Sequence, residues 1–145
     1  MYLLDTDHMS FMQRGTVEGQ QLFRRLMSSN IAPATTIVTY EEQMRGWLDV
    51  LARSTKFEAQ VCAYQLLHQH TTNYQRITIF PFDGAAIQEY NQLRKIYSRL
   101  RKMDLKIAAI AITNKSILLT RNQRDFSQFS LLYKVKTGFS SENWL

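Results

Sequence analysis

The stretch DLKIAAIAITNKSILLT, residues 104 to 120, decides how this chain is expected to fold. Its first half is apolar almost all round at helical spacing, and a helix with no polar face is covered on both sides. SILLT, after Asn114 and Lys115, has the length and composition of a strand. A buried helix that feeds a strand belongs between a sheet and another helix, which is the layering of an α/β protein.

Working outward from there, strand and helix alternate. Upstream lies a long amphipathic helix whose apolar positions Ala86, Tyr90, Leu93, Tyr97 and Leu100 form one stripe. Before it, RITIFPF reads as a strand and residues 56 to 75 as a long helix. IAPATTIVTY supplies another strand, with Pro33 confined to its entry, and EEQMRGWLDVLAR a helix beginning just after Thr39. MYLL opens the chain as a strand, followed by helical stretches broken near Gly15 and ended at Asn30. Beyond SILLT come a loop or short helix, RNQRDFSQF, and a fifth strand at YKVK. This order predicts a single domain over residues 1 to 145, a three-layer α/β/α sandwich around a mainly parallel sheet.

Composition agrees with an ordinary globular chain: 45% hydrophobic and 21% charged residues, five Gly and two Pro. Cys62 is the only cysteine, which rules out an internal disulfide and suits a reducing compartment. Asp5 and Asp7 fall where a signal peptide would need an apolar core, and the longest apolar run is the six residues from Ile107 to Ile112. The expectation is a soluble cytoplasmic protein without a membrane partner. Lys and Arg outnumber Asp and Glu by 18 to 12, which favours a polyanionic partner.

The acids are expected to gather. In open parallel sheets ligands bind beyond the carboxyl ends of the strands. Asp5 and Asp7 follow the first strand, Glu41 and Glu42 open the helix after the second, Asp104 starts the buried helix, and Asn122 and Asp125 follow SILLT. Each has a purely structural use, as a helix cap, a first-turn acid or an Asx turn. Brought together, however, carboxylates repel and raise one another's pKa, a conflict that a divalent cation resolves. Oxygen ligands without a His or Cys cluster favour Mg²⁺ or Mn²⁺ over Zn²⁺. His68 and His70 diverge on their helix, and His8 is expected to be packed or solvated. A carboxylate-held cation is the kind of centre that hydrolyses phosphodiesters.

These residues resemble the PIN-domain family, and within it the VapC-type toxin ribonucleases of toxin–antitoxin pairs. LLDTD followed by MS looks like the first motif of that family, mapping its metal-binding aspartate to Asp5 and the adjacent hydroxyl to Thr6. IVTYEEQMRG is similar to the second, an acid four residues before a glycine, which selects Glu42 before Gly46. DLKIAAIAI looks like the third, an aspartate before an Ile-Ala-Ala run, here Asp104. LLTRNQRDF matches the fourth, with Asn122 where many relatives carry an acid. SRLRKM precedes Asp104 where many relatives carry a glycine.

The resemblance implies a Mg²⁺- or Mn²⁺-dependent endoribonuclease, usually a homodimer, inhibited by a small antitoxin. Asp5, Glu42 and Asp104 would hold the metal, with Asn122 or Asp125 orienting water or a second ion. Thr6 and Thr120 would support those ligands from behind. Residues 94 to 106 carry six positive charges against one, and Arg99, Arg101, Lys102 and Lys106, with Arg121 and Arg124, are the expected RNA contacts. Trp47 and Trp144 are expected in packing more than in base stacking. The alternative is a non-catalytic PIN-like RNA-binding module, which Asn122 would favour.

Overall fold

The computed structural model describes residues 1–129 and 140–143. Five strands form one parallel sheet: β1 (Tyr2–Leu4), β2 (Pro33–Thr36), β3 (Thr78–Phe80), β4 (Ile117–Leu119) and β5 (Ser140–Glu142), in the order β3-β2-β1-β4-β5. Every neighbouring pair is parallel, with Leu3 beside Ala34 on one side and Leu118 on the other. The YKVK strand and Trp144 lie outside the described residues.

Helices cover both faces, as the apolar runs in the strands require. α1 (Thr6–Arg14) and α2 (Val17–Ser28) follow β1, α3 (Ile37–Arg53) and α4 (Phe57–Tyr74) follow β2, and α5 (Gly84–Ile96) and α6 (Lys102–Thr113) follow β3. A further helical stretch covers 123–129. Alternation along the strands divides the core. Leu3 and Leu118 point to a cluster with Leu93, Leu105, Ile110, Phe126 and Phe129. Leu4 and Leu119 point to the other, with Met9, Leu22, Leu26 and Tyr74. In α6, every residue from Leu105 to Ile112 except Lys106 is at most 2% exposed, which is the covered helix its composition required.

Two boundaries differ from expectation. α3 begins at Ile37, because the Thr36 hydroxyl accepts the Thr39 N–H at 3.0 Å and caps a helix that takes in the β-branched residues Ile37, Val38 and Thr39. Glu41 and Glu42 therefore lie beyond its first turn and do not open it. α5 stops at Ile96; Tyr97 and Leu100 continue the apolar stripe from the turn that follows and pack on the same core. Gly19 marks where α2 crosses α1: a Cβ there would sit 2.0 Å from the Phe11 carbonyl oxygen. No helix among the described residues is long and apolar enough to cross a membrane.

Candidate active site

Strand order reverses between β1 and β4, and the crevice beyond their carboxyl ends is where such sheets place ligands. Asp5 stands at this point. Its backbone N–H donates to the Leu119 carbonyl at 3.1 Å, pinning the two strand ends together. Its side chain caps α1, with Oδ1 accepting the His8 N–H at 2.8 Å and lying 3.0 Å from His8 Nδ1. The capping use open to an acid here is thus real, and it holds a buried carboxylate against a fully buried imidazole. Asp7 is exposed.

Thr6, the next residue, donates its hydroxyl to Glu42 Oε2 and so ties α1 to α3. Glu41 instead turns outward to pair with Arg45 one turn on. Asp104 is the third residue of α6 and 4% exposed. Arg101 grips it with both arms, Nε to Oδ2 at 2.8 Å and a terminal nitrogen to Oδ1 at 3.0 Å. Burial nevertheless pushes the Asp104 carboxyl above its ordinary range; Arg101 opposes the shift, and the negative charges of Asp125 and Asp5 add to it. Arg101 is held protonated chiefly by its hydrogen bonds and attraction to Asp104, and it also feels Glu42 and Asp125.

The fourth motif forms a compact loop. Thr120, fully buried, accepts the Asn122 N–H on its hydroxyl at 3.0 Å, and Asn122 Nδ2 donates to Asp125 Oδ2 at 3.0 Å. Asn122 and Asp125 therefore act as one unit, the amide aiming the carboxylate. Asp125 and Asp5 lie close enough to act on Asp104, and Glu42 and Asp125 close enough to act on Arg101.

Among the described residues no three His, Cys, Asp or Glu side chains form a ready metal cage. Asp5, Glu42, Asp104 and Asp125 are each tied to a neighbour: His8, Thr6, Arg101 and Asn122. The donors are hard carboxylate oxygens, which match Mg²⁺ or Mn²⁺, and Asp104 is buried, where an ionised carboxylate gains from a cation. In chemistry the set fits such an ion. The pairing of His8 with Asp5 is not among the sequence expectations; its spacing of three, repeated by Arg101 and Asp104, is the signal that could have found both contacts.

The basic residues divide by setting. Arg99, Arg101, Lys102, Arg121 and Arg124 are exposed, and Lys106 is half-buried. Lys106 Nζ lies 5.7 Å from the Phe82 ring centre, and the Arg121 guanidinium 5.5 Å from that of Phe11, so aromatic faces seat both. On the other side of Thr6 a cavity of about 550 Å³ opens between α1, α3 and α4, with Gln43, Trp47 and His70 in its wall. Trp47 thus lines a hollow.

No protein-family model matches the chain, and no curated protein matches it. Solved structures do. A chain of VapBC2 from Rickettsia felis bound to a promoter DNA fragment is 20% identical, with a TM-score of 0.68 over 99% of this chain and 98% of that one. A chain of FitAcB from Neisseria gonorrhoeae is 21% identical, with a TM-score of 0.67 over the same shares. A chain of DNA-bound VapBC from Salmonella typhimurium is 17% identical at a TM-score of 0.69, again over 99% and 98%. These likenesses establish the fold, and it is the one that the four motifs imply.

Proposed function

We propose that this chain is a Mg²⁺- or Mn²⁺-dependent endoribonuclease acting as the toxin of a toxin–antitoxin pair. One observation carries the reading: Asp5, pinned to the end of β4 through Leu119, and Asp104, buried at the start of α6, stand with Asp125 at the carboxyl edge of a parallel sheet around its switch point.

In this reading Asp5, Glu42, Asp104 and Asp125 hold the metal. When bound, the ion would polarise water and offset charge on the transferring phosphate. Thr6 fixes the Glu42 carboxylate, His8 fixes Asp5, and Asn122 aims Asp125. Thr120 shapes the loop that carries them. Arg101 neutralises Asp104, and its largely exposed guanidinium would be free to meet an RNA phosphate were a metal held by Asp104 instead. Arg99, Lys102, Lys106, Arg121 and Arg124 extend the phosphate track. The fold is shared with chains in VapBC and FitAcB structures, which supports a small antitoxin as protein partner; a homodimer and a cytoplasmic location complete the proposal.

A second reading, a non-catalytic RNA-binding module, is favoured by the Arg101 fork on Asp104 and by Asn122 in an acidic position. Cleavage of a structured-RNA panel separates the two. The nuclease requires cleavage with Mg²⁺ or Mn²⁺ that disappears with EDTA and falls at least a hundredfold in Asp104→Asn. RNA binding without cleavage by the folded wild type establishes the module instead.

A further inference from the structure

The cavity between α1, α3 and α4 has no part in the chemistry above. We propose that it is a nucleobase pocket, taking one unstacked base of the RNA strand whose phosphodiester lies against the acids. The identity of this ligand rests on the nuclease reading; the existence of a ligand rests on the cavity itself.

Its size, about 550 Å³, falls within the roughly 300–1,000 Å³ range of small-molecule sites. Its wall combines an indole face, Trp47, with the amides of Gln13, Gln69 and Asn73. Aromatic faces hold single-stranded bases by stacking, and polar side chains read their edges. Among the described residues no carboxylate lines the hollow, and Arg14 does.

The wall also holds polar groups that lack partners. His70 is 2% exposed, and among the described residues neither of its ring nitrogens has a hydrogen-bond partner; Gln13 Nε2 is buried and equally without one. The imidazole is not loosely placed. It stacks on Tyr40 at 5.2 Å and meets the edge of Tyr74 at 4.7 Å, while Tyr74 OH is fixed by Gln43 Oε1 at 2.6 Å. Burial pushes its pKa below the usual 6.5, and both nitrogens are closed to solvent, so the neutral ring backs the cavity wall and the amides of exposed Gln69 and half-buried Asn73 are the groups that meet a base edge. Position completes the argument. Thr6 and Gln43 line the cavity, and Thr6 bonds Glu42, so a base seated here adjoins the acids.

The test uses the full chain with Trp144→Phe, leaving Trp47 as its single indole. AMP, GMP, CMP and UMP are titrated in EDTA while Trp47 fluorescence is followed, with inorganic phosphate as the control. At least one nucleotide is expected to give a saturable change that phosphate does not. Gly46→Leu should weaken that binding at least tenfold. Gly46 lines the cavity on α3, and a Cβ there meets nothing within 4 Å, so the substitution fills the hollow without a backbone clash. Asn73→Leu, from the facing helix, should weaken binding equally by a second route. The pocket is overturned by absence of saturation with all four nucleotides, by an equal response to phosphate, or by unchanged binding in both filled variants. Nucleotide binding without RNA cleavage would leave the pocket standing and remove the nuclease reading.

Discussion

Asp104 brings burial and pairing into direct opposition. The fork from Arg101 favours its ionised form, yet burial together with the charges of Asp125 and Asp5 leaves the carboxyl above its ordinary value of 3.8. Between that value and the raised one the folded chain binds more protons than the unfolded chain, so stability falls as pH rises through this window. Asp104→Asn should therefore raise stability at neutral pH, since Arg101 is largely in water and is not left as a buried lone charge. The gain should shrink as pH drops through the raised value and vanish below 3.8, where the wild-type carboxyl is protonated in both states. Urea melts of the two proteins across this range check it; a less stable variant at pH 7 would mean that the fork outweighs burial. The same substitution is expected to abolish cleavage, so function and stability pull apart at one side chain. Sequence makes Asp104 conspicuous by its place before an apolar helix. The fork is harder to see, because Arg101 reads as one more member of a basic run.

Among the elements, α3 shows why some boundaries are legible and others are not. Thr35 to Thr39 is a β-branched run that reads as strand, but a single hydroxyl at Thr36 caps the chain into a helix after four strand residues. Local propensity loses there to a hydrogen bond and to the burial of Val38 in the core that α6 fills. The end of α5 is obscured for a related reason: Tyr97 and Leu100 keep helical spacing in apolarity after the helix itself has stopped. The crossing of α1 and α2 leaves no periodic signal at all. It depends on Gly19, where any side chain meets the Phe11 backbone carbonyl, an obstacle no rotamer change relieves. Gly19→Ala should destabilise by about 1–3 kcal/mol through forced separation of the two helices, despite the better helix propensity of Ala. Equilibrium unfolding measures this; a neutral or stabilising effect would show that α2 can slide without penalty. Because α1 carries Thr6 and His8, the substitution should also lower metal affinity.

For the molecule as a whole, strand order places the acids and the distribution of charge opposes them. The switch point between β1 and β4 follows from which strands pair, and pairing has no signature in any one segment; only the alternation of strand and helix points to it. The net charge of +6, by contrast, is legible from composition, and its crowding into residues 94 to 106 puts cations directly before Asp104. A polyanion approaching the acids needs that cover, so RNA binding should be strongly salt-dependent. For a single strand the slope of log affinity against log salt is about −0.7 per phosphate neutralised. Replacing Arg99 and Lys102 by Gln, both exposed, should make the slope shallower by about 0.7 for each phosphate no longer neutralised, with Mg²⁺ or Mn²⁺ affinity unchanged. Fluorescence anisotropy of a labelled RNA between about 50 and 200 mM salt reads the slope directly. An unaltered slope would place the phosphate track elsewhere, on Arg121 and Arg124 beside the fourth motif, and would make the basic run between α5 and α6 a solvated face.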